Sequence, residues 1–206
     1  MSASSPISAL DQLLAQARFG DPAAVEQLLA EYRPYLHLLA EQQIRHRFAG
    51  RVDASDVVQE ACLRVGQAFP EFGGNSEAEL LAWLRRILAS SLTEEAHRQC
   101  ATRRQAVRLE IELADALDQS SQFLAARLAS PGNSPSQSTC RREQLVLLSQ
   151  ALSHLPEDYR QVLVLRHLEG LSFPDVAQHM GRSLDSVKHL WVRALARIRC
   201  SFGGLP

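Results

Sequence analysis

Apolar residues recur at three- and four-residue intervals along the chain, the spacing that gives a helix one buried face. The first run opens at Asp21-Pro22, a capping residue ahead of a proline at the first helical position, and carries Val25, Leu28, Leu29 and Tyr32. Pro34 predicts the start of a second helix that turns Leu36, Leu39 and Ile44 inward and stops near Gly50. Asp53-Ala-Ser-Asp56 has the form of a capping box for a third helix. On that helix Val57, Val58, Ala61, Val65 and Phe69 face a core, while Asp56, Gln59, Glu60, Arg64 and Gln67 make a polar stripe. Pro70-Glu-Phe-Gly-Gly-Asn-Ser76 concentrates turn residues and predicts a loop. A fourth helix runs from about Glu77 to Arg98 or beyond, burying Leu80, Leu84, Ile87 and Leu88. No segment alternates with the period of a strand, so the expected fold class is all-α.

Between Gln119 and Thr139 the pattern changes. Six serines, Pro131, Pro135 and Gly132 accompany a single charge, Arg127, which is the composition of a linker. Such a stretch reaches roughly 70 Å when extended, far enough for two domains to address separate sites on one partner. Leu109 to Leu117 has half-helical character and fits either the first domain or the linker.

Beyond the linker, four helices are predicted: Arg141 to Ser153, Pro156 to Leu168, Phe173 to Met180, and Leu184 to about Cys200. Gly170 can end the second, Ser172-Phe-Pro-Asp175 forms a capping box for the third, Gly181 suits a left-handed turn, and Ser183 can cap the fourth. A short helix, a glycine turn and a longer basic helix make a helix-turn-helix, whose second helix fits the major groove. From Arg182 to Arg199 there are five basic residues against Asp185 alone. Ser183, Asp185, Ser186, Lys188 and His189 occupy the first two turns, where base edges are read, and Arg193 and Arg197 follow as flanking cations for phosphates. Val187, Leu190, Ala194 and Ile198 are expected to pack on the shorter helix, with partial exposure of Leu190 equally compatible.

Charge sharpens this division. Lys+Arg against Asp+Glu is 9 to 13 over residues 1–100, 4 to 4 over 101–140 and 9 to 6 over 141–206, so acid lies forward and base behind. Only Lys188 of the 22 basic residues is a lysine; arginine suits bidentate phosphate and guanine contacts, and GC-rich coding gives the same bias. The length of 206 residues with 46% apolar and 22% charged composition indicates one or two globular domains. Neither a secretory leader nor a membrane-length apolar run is present in the sequence, which predicts a cytoplasmic protein. Cys62, Cys100, Cys140 and Cys200 are too widely spaced for a zinc or redox motif and are read as reduced thiols. His97 and Cys100 supply at most two neighbouring ligands, so no metal and no cofactor is expected. Nucleotide-binding, metalloprotease and nucleophile-elbow signatures are missing, which argues against an enzyme.

Leu155-Pro-Glu-Asp-Tyr-Arg-Gln-Val-Leu-Val-Leu-Arg-His-Leu-Glu-Gly170, Leu171-Ser-Phe-Pro-Asp-Val-Ala-Gln-His-Met-Gly181 and Ser183-Leu-Asp-Ser-Val-Lys188 with Arg193-Ala194 resemble region 4 of bacterial sigma-70-type factors. Asp53-Ala-Ser-Asp-Val-Val-Gln-Glu-Ala-Cys-Leu-Arg-Val65 resembles their region 2, in the small two-domain extracytoplasmic-function group. The resemblance implies a region 2-like domain over 20–108, a linker over 109–140 and a region 4-like domain over 141–200. It implies that the chain binds core RNA polymerase, through the beta-prime clamp coiled coil and the beta flap, and directs it to promoter DNA at the minus-10 and minus-35 elements. Asp56, Gln59, Glu60 and Arg64 are then the candidates for the clamp contact.

Leu81-Ala-Trp83-Leu84-Arg-Arg86-Ile87 is similar to the stretch leading into promoter melting, which makes Arg85 and Arg86 candidate DNA contacts. Trp83 fits either a core position or a base-stacking one. The preceding loop resembles the element that holds a flipped base, and there Phe72, Asn75 and Ser76 are the candidates. Leu190 stands where the family often has arginine and Trp191 where leucine is common, which bears on minus-35 preference. Ala89-Ser-Ser-Leu-Thr-Glu-Glu95 is less basic than the usual pattern, shifting weight to Arg85, Arg86, Arg98, Arg103 and Arg104. An anti-sigma factor is a further partner the resemblance admits. The alternative is a stand-alone helix-turn-helix regulator that does not bind polymerase, and a third is an adaptor that binds other factors without touching DNA.

Overall fold

A computed structural model of the chain describes residues 9–48, 52–100, 103–128 and 138–202. They form helices and turns, with no strand among the described residues. The chain divides into two compact units, 1–123 and 124–206.

The first unit contains α1 (Ala9–Arg18), α2 (Pro22–Arg47), α3 (Ala54–Ala68), α4 (Glu77–Cys100) and α5 (Arg103–Leu128) as far as residue 123, with a 3₁₀ turn over Phe69–Glu71. Helix α1 precedes the first element expected from sequence; its Leu14 and Ala17 are buried. Asp21 caps α2 as anticipated, its carboxylate accepting from the Ala23 N–H at 3.0 Å. Pro34, by contrast, starts no new helix and lies inside α2. An internal proline costs about 3 kcal/mol. Burial on both sides offsets it: Leu28, Tyr32, Tyr35, Leu36 and Leu39 are at most 2% exposed. The expected stop at Gly50 lies outside the described residues. Helix α2 packs on α3 and α3 on α4, burying Val57, Val58, Ala61, Val65, Phe69, Leu80, Leu84 and Leu88, while Ile87 is only half-buried.

Helix α5 corrects the expected linker over 109–140. Leu113 and Leu117 are fully buried, and Ser120 and Ser121 hydrogen bond to Gln43 (3.1 Å) and Tyr35 (3.0 Å) of α2. Residues 109–123 therefore belong to the first unit, which resolves the choice left open for Leu109 to Leu117. Serines that suggest a linker by composition serve here as short hydrogen-bonding groups on a helix. Residues 129–137 lie outside the description.

The second unit holds α6 (Ser138–Ser153), α7 (Glu157–Leu163), which widens into a π-helical turn over Val164–Leu168, α8 (Phe173–Met180) and α9 (Leu184–Phe202). Four helices were expected here and their bounds agree closely. The punctuation is as read from sequence: Ser172 and Asp175 form a reciprocal capping box on α8. Gly181 takes φ +62, with the Arg182 N–H donating to Ala177 O at 3.0 Å and the Gly181 N–H to Gln178 O at 3.2 Å. That is a Schellman turn, and only glycine occupies its left-handed position without steric cost. Val162, Leu165, Val176, Val187 and Ala194 are fully buried where α7, α8 and α9 meet.

Candidate polymerase and promoter interfaces

Helix α3 is capped by Asp53, whose carboxylate accepts from the Ser55 N–H at 2.7 Å. Asp56 contributes no reciprocal capping bond among the described contacts; it stands exposed in the first turn, where the helix dipole favours a carboxylate. Asp56, Gln59 and Leu63 follow at i, i+3 and i+7, and all three are exposed. Leu63 is 57% exposed and was missed from sequence; its signal is an apolar residue on the polar side of an amphipathic helix.

The other two clamp candidates, Glu60 and Arg64, are paired within the unit. Arg64 donates from Nε to Glu60 at 2.9 Å, and its two terminal nitrogens clasp the Glu94 carboxylate of α4, one at 2.7 Å. Arg64 is thus a tie between α3 and α4, and this conformation does not offer its guanidinium as an open contact. The fork geometry explains why an arginine suits the position. The same bonds hold the Glu94 carboxyl below its ordinary range. A carboxylate with a depressed folded-state pKa stabilises the fold fully above its unfolded value, and that contribution is lost as pH falls through the folded one. Glu94→Gln should lower stability at neutral pH slightly, by well under about 1 kcal/mol because the pair is solvent-accessible, and flatten the acid limb below about pH 4.5 by that same small amount. Urea denaturation of both proteins across that range is the check.

At the loop ahead of α4, Phe72 is buried rather than presented. Its ring lies 4.8 Å from Trp83 and 5.6 Å from Phe69, and Trp83 meets Phe69 edge-on at 5.6 Å. Trp83 is half-buried, joining the core with one part of its ring surface. A Cβ at Gly74 would stand 2.3 Å from Phe72 Cζ, so glycine there permits the close approach of the ring. The polar groups of the loop are engaged as well. Ser76 caps α4 in a reciprocal pair with Glu79, and the Asn75 side chain accepts from Arg18 of α1. Glu79 also accepts from the Asn75 and Ser76 N–H groups. Of the three residues expected at a flipped base, Phe72 is buried and Asn75 and Ser76 are exposed, and in this conformation aromatic packing and a helix cap close the loop on itself.

Arg85 is similarly occupied. Its Nε donates to Asp118 of α5, and its Nη1 donates to the Tyr35 hydroxyl at 3.0 Å, leaving the side chain 15% exposed. Burial raises the Tyr35 pKa, keeping the phenol neutral as acceptor from Arg85 and donor to Ser121. Arg86, next along α4, is exposed. Arg98 pairs with Glu95 at 2.8 Å, and the Arg103 and Arg104 side chains lie outside the described residues. Burial also raises the Cys62 thiol, which is free. No His, Cys, Asp and Glu cluster suited to a metal occurs among the described residues, and no described helix is long and apolar enough to cross a membrane.

In the second unit the predicted DNA-facing residues are brought together. Ser183 caps α9 by accepting from the Ser186 N–H at 3.3 Å. Asp185, Lys188, His189, Arg193 and Arg197 are exposed, and Ser186 and Leu190 are half-buried. Arg182, Ser186, His189, Leu190 and Arg193 line a shallow groove at the start of α9. Arg182, missed among the candidates although it precedes the cap, bridges to Asp158 of α7 at 2.6 Å. Trp191 turns the other way: its Nε1–H donates to His167 Nε2 at 2.8 Å, and its ring meets Phe173 edge-on at 5.4 Å. Arg166 covers the Phe173 ring at 4.9 Å and donates to Leu171 O at 2.8 Å. The bulk that replaces leucine at 191 therefore fastens α9 to the elements before it.

The family model described as Sigma-70 region 2 matches residues 28–99, and that for Sigma-70, region 4 matches residues 145–198. The chain is 27% identical over 190 residues to the ECF RNA polymerase sigma factor SigD of Mycobacterium tuberculosis, covering 92% of this chain and 82% of that protein. It is 29% identical over 184 residues to the RNA polymerase sigma-H factor of Pseudomonas aeruginosa, covering 89% and 88%. A solved structure of CnrH in complex with the cytosolic domain of CnrY matches 97% of this chain and 100% of that one at 21% identity, with a TM-score of 0.32. Two matched blocks fall in order on the two units, one on α2 to α4 and the other on α6 to α9, and the chain belongs to the sigma-70 family, in its extracytoplasmic-function group.

Proposed function

We propose that this chain joins core RNA polymerase and directs it to promoters, the first unit acting at the minus-10 element and the second at the minus-35 element. The observation that carries the reading is the α8–α9 pair: a boxed cap, a Schellman turn and a capped basic helix that leaves Lys188, His189 and Arg193 exposed together. Helix α9 enters the major groove by its first two turns, with Ser183, Asp185, Ser186, Lys188 and His189 toward base edges and Arg193 and Arg197 toward phosphates. Arg182 joins them as a phosphate contact. The exposed face of α3, Asp56 and Gln59 with Glu60 beside them, docks on the polymerase clamp, and Leu63 extends that face with an apolar contact. Arg64 supports it by holding α3 to α4. Arg85 and Arg86 serve the minus-10 DNA, Arg85 after release from Asp118. The chain contributes recognition and no chemistry, and it acts where polymerase and promoter DNA are, in the cytoplasm.

Promoter binding by the reconstituted holoenzyme as a function of salt tests this reading. Lys188→Ala with Arg193→Ala should weaken binding about tenfold and lower the log-log salt slope by about one, for the phosphate contact of Arg193, while polymerase binding is spared. An unchanged slope would refute the assignment of α9 to DNA.

A further inference from the structure

Helix α5 lies across two arginines of the first unit and supplies a carboxylate to each. Asp118 bonds Arg85 of α4, and Glu112 approaches Arg47 of α2 at 3.9 Å while also pairing with Arg108 of its own helix at 3.1 Å. Around Asp118 the fit is close. Tyr35, fully buried, donates its hydroxyl proton to Ser121 and accepts from Arg85, while Gln43 donates to Ser120, so residues 118–121 touch α2 and α4 through three bonds. These bonds are polar, and the Asp118 side chain is 51% exposed, so water reaches it and competes for its bond to Arg85. The apolar hold on this helix comes from Leu113 and Leu117.

We propose that the 118–121 turn of α5 is an autoinhibitory latch, in which the Asp118 carboxylate occupies the place of a nucleic-acid phosphate on Arg85. The proposal rests on the reading of Arg85 as a minus-10 DNA contact. A carboxylate and a phosphate oxygen make the same charge-assisted bond to the guanidinium fork, so the two exclude each other. Single-stranded DNA then binds only the fraction of molecules whose latch is open, and apparent affinity falls by that fraction. The serine hydroxyls give the latch geometry while adding little hold, which suits a contact that must release when polymerase and DNA engage the unit. Glu112 near Arg47 works in the same sense, adding negative charge along the face that α5 covers.

The test measures binding of fluorescein-labelled oligothymidylate to the full-length chain by anisotropy at low salt. Asp118→Ala should bind about threefold to tenfold tighter than the parent. Asp118→Asn, which keeps the shape and loses the charge, should do the same. Asp115→Ala removes an equal charge from an exposed position of α5 and should give a clearly smaller gain. Adding Arg85→Ala to Asp118→Ala should cancel the gain. No gain with Asp118→Ala or Asp118→Asn, a gain matched by Asp115→Ala, or a gain that survives Arg85→Ala overturns the latch. Thermal melting of each variant verifies that it is folded. Full promoter opening by an Arg85→Ala holoenzyme would remove the DNA role of Arg85 itself, a failure separable from that of the latch.

Discussion

The double substitution Asp56→Ala with Glu60→Ala should abolish co-purification with core RNA polymerase, reducing affinity by roughly a thousandfold if each side chain is a desolvated anchor worth about 2 kcal/mol. The expectation depends on the unit surviving the change, and the contacts say it does. Asp56 is exposed and its loss removes only a favourable charge from the first turn of α3, worth about 0.3–1 kcal/mol. Glu60 shares Arg64 with Glu94, so the bond between α3 and α4 persists when Glu60 is truncated. The parent chain should elute with core polymerase at near equal stoichiometry. The variant should elute alone, with the melting temperature of the parent and with unchanged α9 residues for DNA. Retained binding by the variant would move the docking surface off α3. The pattern is the reverse of that expected for Lys188→Ala with Arg193→Ala, and together the pairs separate polymerase docking from promoter reading.

Leu113→Ala should destabilise the first unit by about 2–5 kcal/mol, the range for truncating a buried leucine. Leu113 has no exposed surface, and neither has Leu117 one helical turn on. A linker residue would give a change close to zero, so the measurement discriminates sharply between a linker that begins at 109 and a fifth helix of the folded unit. Domain stabilities lie at about 5–15 kcal/mol, so the loss is a large fraction of the whole. A fall in melting temperature on the order of 10 °C is expected. The second unit, whose core of Val162, Leu165, Val176, Val187 and Ala194 is its own, should melt as before. A single loss spread over both transitions would contradict the division of the chain into two units.

Both expectations turn on which side chains are already engaged. Of the four clamp candidates on α3, Arg64 was legible as polar and helical, while its engagement was not. The same holds for Arg85 and Phe72. Each has the right residue type for its expected role and each is held by partners in this conformation: Glu94 for Arg64, Asp118 and Tyr35 for Arg85, Phe69 and Trp83 for Phe72. In the second unit the agreement is closer. Lys188, His189 and Arg193 are exposed as expected, because the short elements there are defined by caps and glycines a few residues apart.

The sequence by itself determined the helical class, the bounds of α3, α4, α8 and α9, the caps at Asp21, Asp53 and Ser172, the turn at Gly181 and the basic face of α9. All of these follow from period and from bonds spanning two to five residues, whose partners sit beside one another in the chain. The tertiary structure decided the rest. Helix α2 runs through Pro34 because burial on either side outweighs one missing bond. Helix α5 reaches into a serine-rich stretch because Leu113 and Leu117 find a core and Ser120 and Ser121 find partners in α2. Arg64 and Glu94 lie 30 residues apart, Arg85 and Asp118 lie 33, and Tyr35 and Ser121 lie 86. Which carboxylate or hydroxyl meets a given side chain at such separations is set by how helices pack, and local propensity carries no information about that choice.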